Sequence, residues 1–265
     1  MIGVIIIGDE ILSGRREDKH LAKAIELLGD RGLRLSWARY MGDEPERITS
    51  ELAAVRASDD VVFSFGGIGA TPDDHTRAAA AAAWGVDLAL HAQAKPLIIE
   101  RSRLMAEQEG RAFDEGSADT LRRLEMGCFP VGADIIPNPY NQIPGFSMDG
   151  RVHFLPGFPV MAWPMMAWAL DHYHAELFGS DRMIEKAVIV YARTESALTP
   201  LMLDIEARFP GVKVFSLPSV DHPVYGRHIE LGVKGEEVAC QPAFAALLDG
   251  LHCIGANVGP ETVRK

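Results

Sequence analysis

Residues 61–83 read Val61-Val62-Phe63-Ser64-Phe65, then Gly66-Gly67-Ile68-Gly69-Ala70-Thr71-Pro72-Asp73-Asp74-His75-Thr76-Arg77, then the alanine block Ala78 to Ala83. A β-branched and aromatic run, a glycine-rich loop and a block of strong helix formers spell strand, loop and helix. Gly66, Gly67 and Gly69 free the backbone to turn sharply and to approach a ligand closely. Successive N–H groups in such a turn form an anion nest. A helix beginning near Asp74 adds roughly half a positive elementary charge at its amino end. The stretch therefore predicts a phosphate-bearing small molecule as ligand. Asp73 and Asp74 admit two readings. In one, Asp74 caps the helix and Asp73 is a turn residue. In the other, at least one binds Mg²⁺ shared with the phosphates, since Mg²⁺ takes one or two protein carboxylates plus phosphate oxygens. No Gly-Lys-Ser/Thr follows and no G-x-G-x-x-G is present, so neither the P-loop nor the dinucleotide fingerprint describes the loop.

Upstream, Ile2 to Ile7 is a short β-branched run suited to a fully buried parallel strand. Gly8-Asp9-Glu10-Ile11-Leu12-Ser13-Gly14 follows as a loop, and Leu21, Ile25 and Leu28 recur at helical spacing. Leu33 to Met41 reads as a second strand. Asp43-Glu44-Pro45 signals a helix start, with Ile48, Leu52 and Val55 as its apolar face. The order β-α-β-α-β-loop-α implies a mostly parallel sheet with helices on both faces, a three-layer α/β unit. Ligands of such folds bind at the carboxyl ends of the strands. Asp9, Glu10, Asp43 and the glycine loop all follow strands and converge there.

Downstream, two helices are expected between Leu88 and Met126, and short strands at Ile135–Ile136 and Val152 to Leu155. Pro156-Gly157-Phe158-Pro159 then leads into a helix from Val160 to Phe178. His172 and His174 lie two apart on that helix and face different sides, against a metal pair. Met161, Met165 and Met166 with Trp163 and Trp168 read as core or oligomer contact. Near Gly179 the pattern shifts to β-α-β-β-α. The expected division is 1–180 for the α/β domain, 184–254 for a small α+β subdomain and 255–265 for a tail, with the boundary at 179–184.

The 265 residues, 48% hydrophobic and 24% charged, suit a soluble globular protein. A chain of this size buries roughly three quarters of its unfolded surface and needs no disulfide or structural metal to fold. The net charge of −11 argues against a nucleic-acid surface. It also means that phosphates must be met by backbone dipoles, a few local cations or a divalent metal. Cys128, Cys240 and Cys253 form no CxxC pair, which favours a reducing compartment. The amino terminus lacks the pattern of a signal peptide, and no apolar run approaches the ~20 residues of a membrane span. A cytoplasmic protein is expected, with no membrane partner.

Four motifs occur in order: Gly8-Asp9-Glu10-Ile11-Leu12-x-Gly14, Gly42-Asp43-Glu44, Gly66-Gly67-x-Gly69-x-Thr71-x-Asp73-Asp74-x-Thr76 and Leu155-Pro156-Gly157-x-Pro159. Together they resemble the molybdopterin-binding domain family (MoaB/MogA-like), and within it the amino-terminal domain of CinA and the corresponding domain of eukaryotic FAD synthase. The tail from Ser196 onward resembles the subdomain that follows in those proteins. The resemblance implies binding of molybdopterin or an adenine dinucleotide through its phosphates. It places Asp43 and Asp74 at the catalytic centre, with Asp73 and Asp74 on a divalent cation such as Mg²⁺. Gly66, Gly67 and Gly69 would cradle phosphates and Thr71 and Thr76 add hydroxyls. Asp9, Glu10, Gly14, Pro156 and Gly157 would complete the substrate site. For CinA-type proteins it implies metal-dependent hydrolysis of ADP-ribose or a related pyrophosphate. The alternative is a non-catalytic molybdopterin or nucleotide binder, or an adenylyltransferase-like role in molybdenum cofactor biosynthesis. The family analogy also implies a homo-oligomer. Deamidation of nicotinamide nucleotide, the work of a further carboxyl-terminal domain in CinA, is not expected. The chain leaves the family pattern at Phe65 (usually Thr), at Ala70 (usually Pro) and at Glu17-Asp18-Lys19-His20, where an Asp-Thr-Asn step is common. The usual hydroxyl and amide are missing there.

Overall fold

The computed structural model describes residues 1–179 and 183–264. The chain forms two compact units, Met1–Phe178 and Gly179–Lys265. The expected boundary at 179–184 falls largely on residues 180–182, outside the described residues.

The first unit opens with β1 (Ile2–Ile7), a single turn α1 (Asp9–Leu12), α2 (His20–Gly29), β2 (Trp37–Met41), α3 (Pro45–Arg56) and β3 (Val61–Phe65). It continues with α4 (Thr76–Trp84), β4 (Leu88–Leu90), α5 (Ala94–Gln108), α6 (Ala118–Glu125), β5 (Cys128–Pro130) and β6 (Asp134–Ile136). β7 (Gly145–Met148), β8 (Val152–Leu155) and α7 (Pro159–Tyr173) complete it. The main sheet has the order β2-β1-β3-β8-β7-β6. β2, β1, β3 and β8 pair in parallel, and β7 is antiparallel to both β8 and β6, so β7 alone is reversed and β6 runs in the direction of the parallel strands. β4 and β5 pair separately.

Alternation along β1 explains the layers. Ile5 and Ile7 face a core with Ile48 and Leu52 of α3, Ala80 of α4 and Ile98 of α5. Val4 and Ile6 face the opposite core with Leu28 of α2 and Met165, Met166 and Leu170 of α7. Helices therefore cover both faces of a strand that is buried along its whole length. Proline at the first turn starts both α3 and α7.

Three expectations are corrected. The second strand begins at Trp37 rather than Leu33, because Leu33 N–H closes the end of α2 on the Leu28 carbonyl. The helix after the glycine loop begins at Thr76, so Asp74 does not cap it. Residues 257–264 are not a tail. They form β12 (Asn257–Arg264), the strand that finishes the second unit after β9 (Met183–Tyr191), α8 (Glu195–Arg208), β10 (Lys213–His222), β11 (Gly226–Glu236) and α9 (Glu237–Cys253). That unit is an antiparallel sheet of order β10-β11-β9-β12. Its buried face packs Val188, Val190 and Leu231 against Leu198 and Ile205 of α8 and Phe244 and Leu247 of α9. β12 lies at the edge, where Pro260 is tolerated by a register shift between Val258 and Glu261.

Candidate functional site

Four adjacent parallel strands, β2, β1, β3 and β8, present their carboxyl ends to one cleft of about 860 Å³. That volume suits a nucleotide-sized ligand. The loops after the strands supply its lining: Glu10 after β1, Asp43 after β2, Gly66 to Thr71 with Asp73 and Asp74 after β3, and Pro156 to Pro159 after β8.

The glycine loop is held closely against its neighbours. Gly66 and Gly67 have φ of 100° and 69°, in the left-handed range that favours glycine. A Cβ on Gly66 would stand 2.3 Å from the Ile7 carbonyl, and one on Gly67 2.2 Å from the Thr76 hydroxyl. Gly66 N–H donates to the Leu155 carbonyl at 2.9 Å, tying β3's loop to β8. Thr76 is fully buried, and its hydroxyl donates to the Gly66 carbonyl at 3.0 Å. It is a strut under the loop and not part of the lining. Arg77 braces the loop from α4 by donating to the Gly69 carbonyl at 2.6 Å and to the Glu125 carbonyl.

Asp74 turns its carboxylate back into the loop. It accepts the Gly69 and Thr71 N–H groups, each at 2.8 Å, and the Thr71 hydroxyl at 2.5 Å. This carboxylate occupies part of the nest itself. No described hydrogen bond uses the N–H groups of Gly67, Ile68 or Ala70, which leaves those donors for a bound anion.

Glu10 and Asp43 line the same cleft as this loop. Asp9 N–H donates to Asp43 at 2.9 Å and Asp43 N–H returns a bond to Asp9 at 3.3 Å. Gly42 permits the approach, since a Cβ there would meet the Asp9 carboxylate at 2.4 Å. Burial pushes the Asp43 carboxyl above its usual range, and the negative charges of Asp9, Glu10 and Asp73 push the same way. The Asp9 N–H bond opposes them. Among the described residues no group of three or more His, Cys, Asp or Glu side chains is gathered as a metal site. The donor set nevertheless fits Mg²⁺, which asks for one or two carboxylates and completes its shell with phosphate oxygens and water. Asp73, exposed beside Asp43, and the remaining lone pairs of Asp74 are the carboxylate oxygens at hand.

Of the residues expected from sequence, Asp43, Glu10, Gly66, Gly67, Gly69, Thr71, Asp73, Asp74, Pro156 and Gly157 line the one cleft. Asp9 and Thr76 stand behind it as supports. Gly14 also lies outside the lining: its N–H closes the α1 turn on the Ile11 carbonyl. The sequence reading missed Arg16, Lys19 and His20, which bring nitrogen groups to the lining of the cleft. Arg16 pairs with Glu10 at 3.6 Å and lies over the Phe158 ring at 5.9 Å. It also missed Asn138 and Asn141, whose mutual bond of 2.8 Å stiffens the loop after β6. A pointer existed for the first group, because His20 and its neighbours are where the chain departs from the family pattern.

Residues 3–175 match the family described as "Probable molybdopterin binding domain". A CinA-like protein of Anaeromyxobacter dehalogenans is 28% identical over 256 residues, covering 89% of this chain and 60% of that protein. A CinA-like protein of Mycobacterium marinum is 30% identical over 216 residues, covering 78% of this chain and 50% of that one. The chain thus spans between half and about 60% of the length of these curated relatives. Among solved structures, the protein CinA of Thermoplasma acidophilum, described as of unknown function, superimposes with a TM-score of 0.52 at 27% identity. That match covers 64% of this chain and 95% of that one.

Proposed function

This chain belongs to the molybdopterin-binding domain family, and from that premise we propose that its cleft binds a phosphate-bearing nucleotide or pterin and, with Mg²⁺ or another divalent cation, hydrolyses a dinucleotide pyrophosphate such as ADP-ribose. The observation that carries the reading is one cleft lined both by a glycine loop with unassigned amides and by the Asp43 carboxyl.

The residues divide the work as follows. The N–H groups of Gly67, Ile68 and Ala70 take phosphate oxygens and hold the developing charge. Asp74 and Arg77 keep that loop in shape. Asp43 orients a water and accepts its proton as the water oxygen bonds to phosphorus and the bridging P–O bond breaks, leaving two phosphomonoesters. A divalent cation held by Asp73 and Asp74 would supply further charge neutralisation and a more acidic water.

The test is release of AMP from ADP-ribose with Mg²⁺ or Co²⁺. Asp43→Asn should cut turnover by about a hundredfold or more. Its urea midpoint should stay level or rise, because the neutral amide relieves repulsion from Asp9, Glu10 and Asp73. Wild-type protein without turnover, or a variant with undiminished turnover, overturns the hydrolase.

One observation favours a second reading. Asp74 spends its oxygens on its own loop, and no three-residue metal group is gathered among the described residues. A binding-only protein follows from that. Calorimetric binding of ADP-ribose with no AMP formed over many hours selects it. A homo-oligomer and a cytoplasmic setting belong to the same proposal, and light scattering on the purified chain tests the first. No described helix is long and apolar enough to cross a membrane.

A further inference from the structure

The first unit takes its phenylalanines into its cores: Phe63, Phe65, Phe129, Phe146 and Phe154 are each at most 1% exposed. Phe158 is 53% exposed, and it lines the cleft. Its carbonyl accepts the N–H groups of Met161 and Ala162 in the first turn of α7, so the surface left open is mostly ring. A ring held in water at the edge of a ligand cleft offers unspent stacking surface.

The backbone fixes where that ring stands. Phe158 precedes Pro159, which bars the helical region and keeps it extended, at φ −100° and ψ 118°. Gly157 comes so close to the glycine loop that a Cβ on it would lie 3.6 Å from the Gly66 Cα. The Leu155 carbonyl accepts the Gly66 N–H at 2.9 Å, and the Gly157 carbonyl lies 3.1 Å from His20 Nε2. The segment carrying Phe158 is thus anchored both to the glycine loop and to α2.

Arg16 stands over this ring, its guanidinium carbon 5.9 Å from the centroid, and lines the same cleft. Stacked atoms touch at about 3.5 Å, so a planar base between ring and guanidinium needs about 7 Å, roughly 1 Å more than the present gap. Arg16 can yield that distance. Its side chain is 61% exposed, and its pair with Glu10 spans a loose 3.6 Å that holds it only weakly.

We propose that Phe158 is the stacking platform for the planar heterocycle of the ligand, with the Arg16 guanidinium closing over the other face. The ligand then lies with its phosphates on the glycine loop and its base at the mouth of the cleft. The inference rests on the phosphate-cleft reading above and deepens it.

Calorimetry with Mg²⁺ on the full chain tests it with three probes: AMP, ribose 5-phosphate, which lacks only the base, and inorganic pyrophosphate. Wild-type protein should bind AMP at least about tenfold more tightly than ribose 5-phosphate. Phe158→Ala should remove about tenfold from AMP affinity and leave pyrophosphate within about twofold. Phe158→Leu keeps apolar bulk without a π face and should lose nearly as much, whereas Phe158→Trp should bind AMP at least as well as wild type. Arg16→Gln should cost less in the Phe158→Ala background than alone, since a clamp needs both sides. Undiminished AMP affinity in Phe158→Ala or Phe158→Leu, or an equal loss for pyrophosphate, overturns the platform. So does a wild-type protein that binds pyrophosphate but holds AMP no better than ribose 5-phosphate. Wild-type protein that fails to bind pyrophosphate overturns the phosphate cleft itself.

Discussion

Asp74 shows how one carboxylate changes meaning between a sequence and a fold. Next to a helix start it reads as a cap or a metal ligand. In the structure both oxygens serve the glycine loop, accepting two N–H groups and a hydroxyl. Asp74→Asn therefore does more than remove a charge. One of the two oxygens becomes an NH₂ group facing donors, which leaves at least one loop N–H unsatisfied at a cost of about 1–3 kcal/mol. The expected result is a lowered urea midpoint together with weaker pyrophosphate binding. Asp43→Asn should show neither effect. Equal behaviour of the two variants would contradict the distinct roles given to them. Thr76 carries the same lesson. Its type and spacing suggested a ligand hydroxyl, but burial and the bond to Gly66 make it a support.

At the scale of elements, β8 and the end of α7 meet in a pair of histidines that the sequence left scattered. His153 on β8 and His174 just beyond α7 approach to 2.7 Å between Nε2 atoms, and both are almost wholly buried. Phe63 and Tyr173 pack around the His153 ring at 4.9 and 5.1 Å. Burial holds both imidazoles below their usual range. The pair repels a second proton on His153, while Glu176 pulls His174 partly back. The sign follows directly. An unfolded histidine titrates near pH 6.5, so the unfolded chain takes up protons first as pH falls. The contribution is complete above about pH 6.5. Below it, stability drops by up to about 1.4 kcal/mol per pH unit for each histidine. Urea midpoints measured between about pH 7 and 5 should fall steeply, and His153→Leu with His174→Leu should flatten the curve. A flat wild-type curve would refute the account. The elements themselves were legible where apolar spacing is strong, as in β1, β3 and α3. β12 was not, because Pro260 and half-exposed polar residues hide an edge strand whose partner lies some seventy positions earlier along the chain.

For the whole molecule, the division into Met1–Phe178 and Gly179–Lys265 has a functional consequence. Every residue lining the cleft lies between Ile6 and Met161, and the first unit has its own cores on both faces of its sheet. A fragment ending at Phe178 should therefore fold and bind pyrophosphate with Mg²⁺ as tightly as the full chain, by calorimetry. A fragment that folds but has lost binding would show that the second unit completes the site. On the proposed reading, a chain with a net charge of −11 would meet phosphates with backbone amides, and Arg16 and Lys19 of the cleft lining would add local positive charge.

The sequence by itself determined the class of the fold, the glycine loop and the strand-following loops that bear Asp9, Glu10 and Asp43. Those features are local: alternating periodicity, glycine where φ is positive, proline at helix starts. Tertiary structure decided which of those groups face the cleft and which brace it, because that depends on contacts between residues far apart in the chain. Asp43 meets Asp9, Gly66 meets Leu155, and Arg77 meets Glu125 only after the strands are laid side by side. It also turned two separate departures from a family pattern, Phe65 and His20, into one stacked pair. Residues 45 positions apart in sequence share no periodicity that could have announced it.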